Sequence, residues 1–160
     1  MLITAVFGFP QIVAAVETHC TKNETIVFSC RTGSKIVSVC ASKTIASGSG
    51  YLQYRFGPKK KPELIYPENQ LPSAKTNIQA DTLTFAGGGG AYLRFKREEY
   101  GYVIYTAIGR GWGEKAGVVV ERNNASQVNL PCKKPVVSEL GPDFFEQAGI
   151  LKDTLGFDIP

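Results

Sequence analysis

The sequence predicts an all-β domain, a small antiparallel β-barrel or sandwich with a short C-terminal helix. Three observations carry this expectation. Short runs alternate apolar and polar residues, turn-forming residues recur between them, and the 160 residues include 17 Gly, 9 Phe and 7 Tyr. In chain order, Ile26, Phe28 and Cys30 alternate with Val27 and Ser29, and Ile36 to Ala41 repeats the pattern after a Gly33-Ser34 turn. Tyr51 to Phe56 sets Leu52, Tyr54 and Phe56 on one face, and Leu64 to Tyr66 is a short strand closed by Pro67. Residues 67 to 80 read as a loop crossing between strands, because Pro67, Asn69, Pro72 and Asn77 interrupt any period. Thr82 to Phe85, Ala91 to Lys96, Tyr102 to Ile108, Gly117 to Arg122 and Gln127 to Leu130 complete the strands. Gly141-Pro142-Asp143 then opens a helix with Pro at its first position, and Gly149 stops it. Phe144 and Phe145 are expected to cap the core, and the tail to residue 160 to pack on the surface.

Length and composition suit one globular unit. Hydrophobic residues make up 43% and charged residues 20%, which excludes a disordered chain, a collagen-like repeat and a polytopic membrane protein. The formal charge of +4 attracts acidic partners at long range but is no dense nucleic-acid-binding stripe. Lys59-Lys60-Lys61 reads as a solvated turn.

Residues 1 to 15 read as a signal peptide, possibly truncated at its start, and 16 to 160 as a single β-rich domain. Met1 to Val16 carries no charge and is mostly apolar, and Val13-Ala14-Ala15 supplies the small residues a signal peptidase needs. Pro10 interrupts a stretch already too short to span a membrane. The protein is thus expected in the periplasm or secreted. Cys20, Cys30, Cys40 and Cys132 fit that compartment as two disulfides with three possible connectivities. The favoured pairing is Cys20 with Cys132, tying the first strand to the end of the last, and Cys30 with Cys40. The second pair depends on register: if Gly33-Ser34 is a two-residue turn, Cys30 faces Val37 and Cys40 points to the other face, so this pairing requires a longer loop. The cysteine spacing does not suit zinc, and the sequence implies no metal or cofactor.

Two glycine clusters mark candidate binding loops at 86 to 91 and 109 to 116. Gly87 to Gly90 leads into a strand without the Gly-Lys-Ser or Gly-Lys-Thr of a phosphate loop, so it is a hairpin turn, a corner or a contact loop. Gly109-Arg110-Gly111-Trp112-Gly113-Glu114-Lys115 holds the only Trp, flanked by cations. Trp and Arg are the types most enriched at interface centres. Trp112 either presents itself to a partner or folds back as a lid over the barrel mouth. The candidate binding residues are Gly88, Gly89, Tyr92, Arg94, Arg110, Trp112 and Lys115. Catalysis has little to work with, since His19 is the single imidazole and a carboxylate pair would have to come from Glu63, Asp81, Glu98, Glu99 and Glu121. The expected activity is non-enzymatic.

The segments VSVCAS at 37 to 42, GYLQYRFG at 50 to 57, GGGGAYLRF at 87 to 95, YVIYTAIGRGW at 102 to 112 and SELGPDFFEQAGI at 138 to 150 resemble a group of exported bacterial proteins. In layout the chain is also similar to the periplasmic and membrane-bound inhibitors of C-type lysozyme, with Cys20 and Cys132 and a Gly-rich approach to Tyr92. That resemblance implies a small barrel whose glycine-rich loop inserts a serine, and whose next loop inserts a lysine, into the lysozyme cleft. Here the serine position falls on Gly88 or Gly89, so the serine is missing, and the lysine position falls near Arg110 or Lys115. The +4 charge would repel basic lysozymes. The expected function is therefore an exported binding module acting through its glycine-rich loops, with inhibition of a cell-wall hydrolase such as lysozyme as one form. The alternatives are an antitoxin-like or structural envelope interaction protein, or a small-ligand carrier. The partner expected is another protein or an envelope component, not nucleic acid, and no transmembrane span is expected.

Overall fold

The computed structural model describes residues 15 to 160; the expected leader lies outside the described residues except for Ala15. Ten of the strands form the walls of a sandwich and an eleventh extends one edge. β1 (Glu24–Thr32), β2 (Lys35–Ser42), β3 (Leu52–Pro58) and β4 (Leu64–Tyr66) are followed by a 3-10 turn at Pro72–Asn77. β5 (Ile78–Phe85), β6 (Gly88–Arg97), β7 (Tyr100–Gly109), β8 (Gly113–Arg122), β9 (Ala125–Pro131) and β10 (Lys133–Ser138) follow, then helix α1 (Pro142–Ala148) and β11 (Leu151–Lys152). One sheet runs β10-β1-β2-β3-β4 and the other β11-β5-β6-β7-β8-β9. The all-β expectation holds as a sandwich, since the sheets do not close into one barrel.

The two sheets cross steeply. Ser138 of β10 meets Thr106 of β7, whereas Tyr54 of β3 stacks 5.2 Å from Tyr102 near the other end of β7, and the Tyr66 hydroxyl of β4 donates to the Lys96 carbonyl. The strand order of the first sheet therefore runs along the strands of the second, which is orthogonal packing. The corner is made where the chain leaves β9 and enters β10 in the other sheet. Cys132 stands at that corner, donates its N–H to the Ala116 carbonyl at 2.8 Å, and bridges to Cys30 of β1. Between the sheets lie Phe28, Val37, Val39, Leu52, Tyr54, Leu93, Phe95, Ile104 and Val118, all buried.

The cysteines pair as Cys20–Cys40 and Cys30–Cys132, which corrects the favoured connectivity. Period two is the reason. Cys30 lies opposite Val37, so it shares the inward face of the first sheet, while Cys40 points outward, where only a segment crossing that face can reach it. Residues 15 to 23 are that segment. Besides the Cys20 bridge, the Ser29 hydroxyl donates to the Glu17 carbonyl at 2.8 Å, the His19 N–H donates to Ser38 at 2.9 Å, and Arg55 donates to the His19 carbonyl at 2.8 Å. The first sheet is thus covered on both faces.

Beneath this segment the Arg55 guanidinium grips Glu24 at 2.9 and 2.5 Å, both side chains buried. Burial pulls the Glu24 carboxyl upward, but Arg55, the Thr21 N–H and the Tyr51 hydroxyl outweigh it and hold the pKa at about 2, against an ordinary 4.5. A carboxyl whose folded pKa is depressed lends stability in full above its unfolded pKa and loses it as pH falls toward the folded one. We expect about 2 kcal/mol of stability to disappear between pH 4.5 and 2 through this group. Urea midpoints over that range should fall less steeply in Glu24→Gln than in the wild type; parallel curves would show that Glu24 does not couple folding to protons.

The second sheet is covered in the same way from the other terminus. Phe157 inserts between Tyr92 and Tyr105, with centroids at 5.2 and 5.5 Å, and with Ile159 seals a small cluster that includes Val103 and Val119. The surface tail expected from the sequence is therefore an ordered outer layer. The crossing loop contains the 3-10 turn, and its Lys75 is buried: the ammonium donates to the carbonyls of Ala148 at 2.9 Å, Ser49 at 3.0 Å, Ser47 at 3.3 Å and Ala46. This pins the end of α1 to the loop after β2. The helix begins at Pro142 and ends on Gly149 in the left-handed region at φ 63°, with Phe145 and Ala148 buried.

Candidate functional site

Two hairpin tips stand side by side at one end of the second sheet. Phe85 pairs with Gly88, leaving Ala86-Gly87 as a two-residue turn, and Gly109 pairs with Gly113, leaving Arg110 to Trp112 at the other tip. Gly88 is the cross-strand neighbour of Gly109, and the Arg110 N–H donates to the Gly87 carbonyl at 2.9 Å, so the tips are joined to each other.

The glycines make a floor for aromatic rings. A Cβ on Gly109 would fall 2.2 Å from carbon atoms of the Trp112 ring, which therefore lies flat on bare backbone. At Gly88 a Cβ would lie 2.0 Å from the Ile108 carbonyl oxygen and 2.7 Å from the Phe85 ring. Phe85 and Trp112 stand 5.6 Å apart, tilted by 39°. The Lys115 ammonium lies 5.2 Å over the Trp112 ring and donates to the Pro160 carbonyl at 2.5 Å, tying the tail to the tip. Even so packed, Trp112 is 41% exposed. Its ring occupies the outward face, the side of Ala107 and Tyr105, so it is not a lid over the interior.

The expected residues divide. Gly88, Gly89, Arg110, Trp112 and Lys115 do gather at the paired tips. Tyr92 and Arg94 do not belong to an accessible surface, being 0% and 2% exposed. Their alternation in β6 puts them on the outward face of the sheet, but the C-terminal tail covers that face. Arg94 donates to Glu121 at 3.0 and 3.1 Å and to the Gly156 carbonyl at 2.8 Å, and it forms an ion pair with Asp153, which also accepts from the Tyr92 hydroxyl at 2.9 Å. Phe85 is the tip residue that the sequence reading missed. Its signal was available, because it is the last residue of an alternating strand placed directly before the glycine run.

Several of the candidate catalytic residues have structural partners, Asp81 among them at 3.8 Å from Lys152. The His19 imidazole stands 3.1 Å from the Gly57 carbonyl. Glu63 pairs with Lys35 at 2.5 Å, Glu99 approaches Arg122 at 3.6 Å, and Glu121 belongs to the Arg94 network.

All four cysteines are oxidised, the state an oxidising compartment produces, and among the described residues no helix is long and apolar enough to cross a membrane. Comparison with protein-family models, curated proteins and solved structures finds no match to this chain.

Proposed function

We propose that this chain is a periplasmic or secreted binding protein that recognises another protein or an envelope component through its paired hairpin tips and performs no bond-making chemistry. The observation that carries the reading is Trp112, a large aromatic side chain fixed on a glycine floor yet left two-fifths open to solvent. An aromatic ring held rigid before binding loses little entropy on contact, which is how interface anchors gain affinity. Arg110 and Lys115 beside it favour an acidic partner surface.

The likeness to lysozyme inhibitors now rests on the glycine-rich hairpin, because Cys132 pairs with Cys30 and not with Cys20. With glycine where that family carries serine and cations at the tip, hydrolases whose clefts are rimmed by acids suit it better than basic lysozymes.

The reading is tested by immobilising the wild type and Trp112→Ala and exposing both to envelope extract. A partner held by the wild type should bind the variant at least about 30-fold more weakly, while the thermal midpoint moves by only a few degrees. Equal retention by both proteins would remove the tip from recognition.

A further inference from the structure

Seven cations gather at the end of the first sheet that carries the β1–β2 turn. Lys133 is the cross-strand neighbour of Arg31, Lys35 lies opposite Pro58, and Lys59, Lys60 and Lys61 follow directly on that proline. A single carboxylate, Glu17, meets both Arg31 at 3.4 Å and Lys59 at 2.6 Å, which draws the two halves of the patch together. Glu63 meets Lys35 at 2.5 Å, and Glu114 meets Lys134 at 3.0 Å. Seven cations against three carboxylates leave +4, the formal charge of the entire chain; the other eleven cations and eleven acids cancel.

Two local choices in this patch work against stability. Arg31 and Lys133 set like charges directly opposite each other across a strand pair, where repulsion is strongest. Lys60 sits at φ 66°, a left-handed position that glycine or asparagine fills at less cost. Both place an exposed positive charge in the same patch and neither gains packing. Local rules broken together, for a return to the fold no larger than one partly exposed ion pair between Arg31 and Glu17, point to a ligand.

We propose that this patch binds a linear polyanion, a chain of repeating phosphate or carboxylate groups running from the 59–61 turn across Arg31 to Lys133 and Lys134. An anionic membrane fits less well. Among the described residues, none of the exposed large apolar side chains belongs to residues 31–35, 59–61 or 133–134, so nothing here would insert between lipids. The patch contains none of the candidate binding residues of the tip and meets that loop only where Lys134 pairs with Glu114, so the proposal does not depend on the function assigned to the tip.

The test is binding of the whole chain to long-chain polyphosphate and to polyglutamate at low and at physiological salt, with vesicles containing phosphatidylglycerol as the third arm. Binding to at least one polymer is expected, falling steeply as salt rises because bound counterions are released. The triple variant Lys59→Ser, Lys60→Ser, Lys61→Ser should bind at least about ten-fold more weakly, and Trp112→Ala should bind as the wild type does. Lys60→Gly separates the ligand from the fold: it should raise the thermal midpoint by about 1–3 °C while weakening polymer binding. Preference for one polymer identifies the anionic group. The proposal is overturned by no polymer binding at low salt, by equal binding of the triple variant, by retention on vesicles alone, or by a polymer interaction that Trp112→Ala abolishes.

Discussion

Arg94→Met is expected to destabilise the protein by about 3–5 kcal/mol. The side chain is 3% exposed and lies between Glu121 and Asp153, themselves 7% and 0% exposed. Methionine fills much the same volume, so the loss is electrostatic: two buried carboxylates keep their desolvation cost and lose their counter-charge. The effect extends beyond the pair because Asp153 also accepts from Tyr92, and the Gly156 carbonyl accepts from Arg94. Without the guanidinium the C-terminal layer loses its buried anchor and keeps the packing of Phe157 and Ile159, the Lys115–Pro160 hydrogen bond and the β11–β5 pairing. Urea unfolding measures the loss. Replacing Arg94, Glu121 and Asp153 together by apolar residues should recover most of it, since then no charge is left buried alone. A loss below about 1 kcal/mol for Arg94→Met would mean that water already reaches the site.

The second large effect is the loss of the Cys30–Cys132 bridge. It closes a sequence separation of 102 residues, against 20 for Cys20–Cys40. On the chain-entropy account, removing the long-range bridge costs about 4.7 kcal/mol and the short-range one about 3 kcal/mol. Structure widens the difference. Cys132 stands at the corner where the chain changes sheets, so its bridge holds the β9–β10 corner against β1, whereas Cys20 fastens a segment to one outer face. Denaturant midpoints of the paired Cys→Ser variants should rank in that order. The reverse ranking would show that the outer layer, not the corner, limits stability.

The strands were legible because each leaves one regular alternation, and the helix because Pro142 and Gly149 bracket it. β10 was not. Lys133-Lys134-Pro135 has the composition of an exposed turn, and it forms a strand because the Cys132 corner delivers it to the edge of β1. The glycines at 88 to 90 read as a turn, a corner or a contact loop, yet they continue β6, since paired strands on both sides supply the order their backbone lacks. The cysteine pairing was in the register all along: a two-residue turn at Gly33-Ser34 already forbids Cys30 from meeting Cys40. Outer layers are the feature no local pattern reveals. Tyr92 and Arg94 alternate as a solvent-facing pair should, and only the distant Asp153 and Phe157 bury them.

Recognition through the paired tips is tested by a photo-crosslinking residue at Ala86, an exposed turn position of the tip beside Trp112 that leaves the Trp112 ring in place, with the same residue at Leu151 as the comparison. Leu151 is more exposed than Trp112, at 54%, but lies on the short edge strand β11. In the oxidised protein, a discrete crosslinked partner is predicted from position 86 and none from 151. Crosslinking that is equal at both positions, or confined to 151, would contradict recognition through the tips.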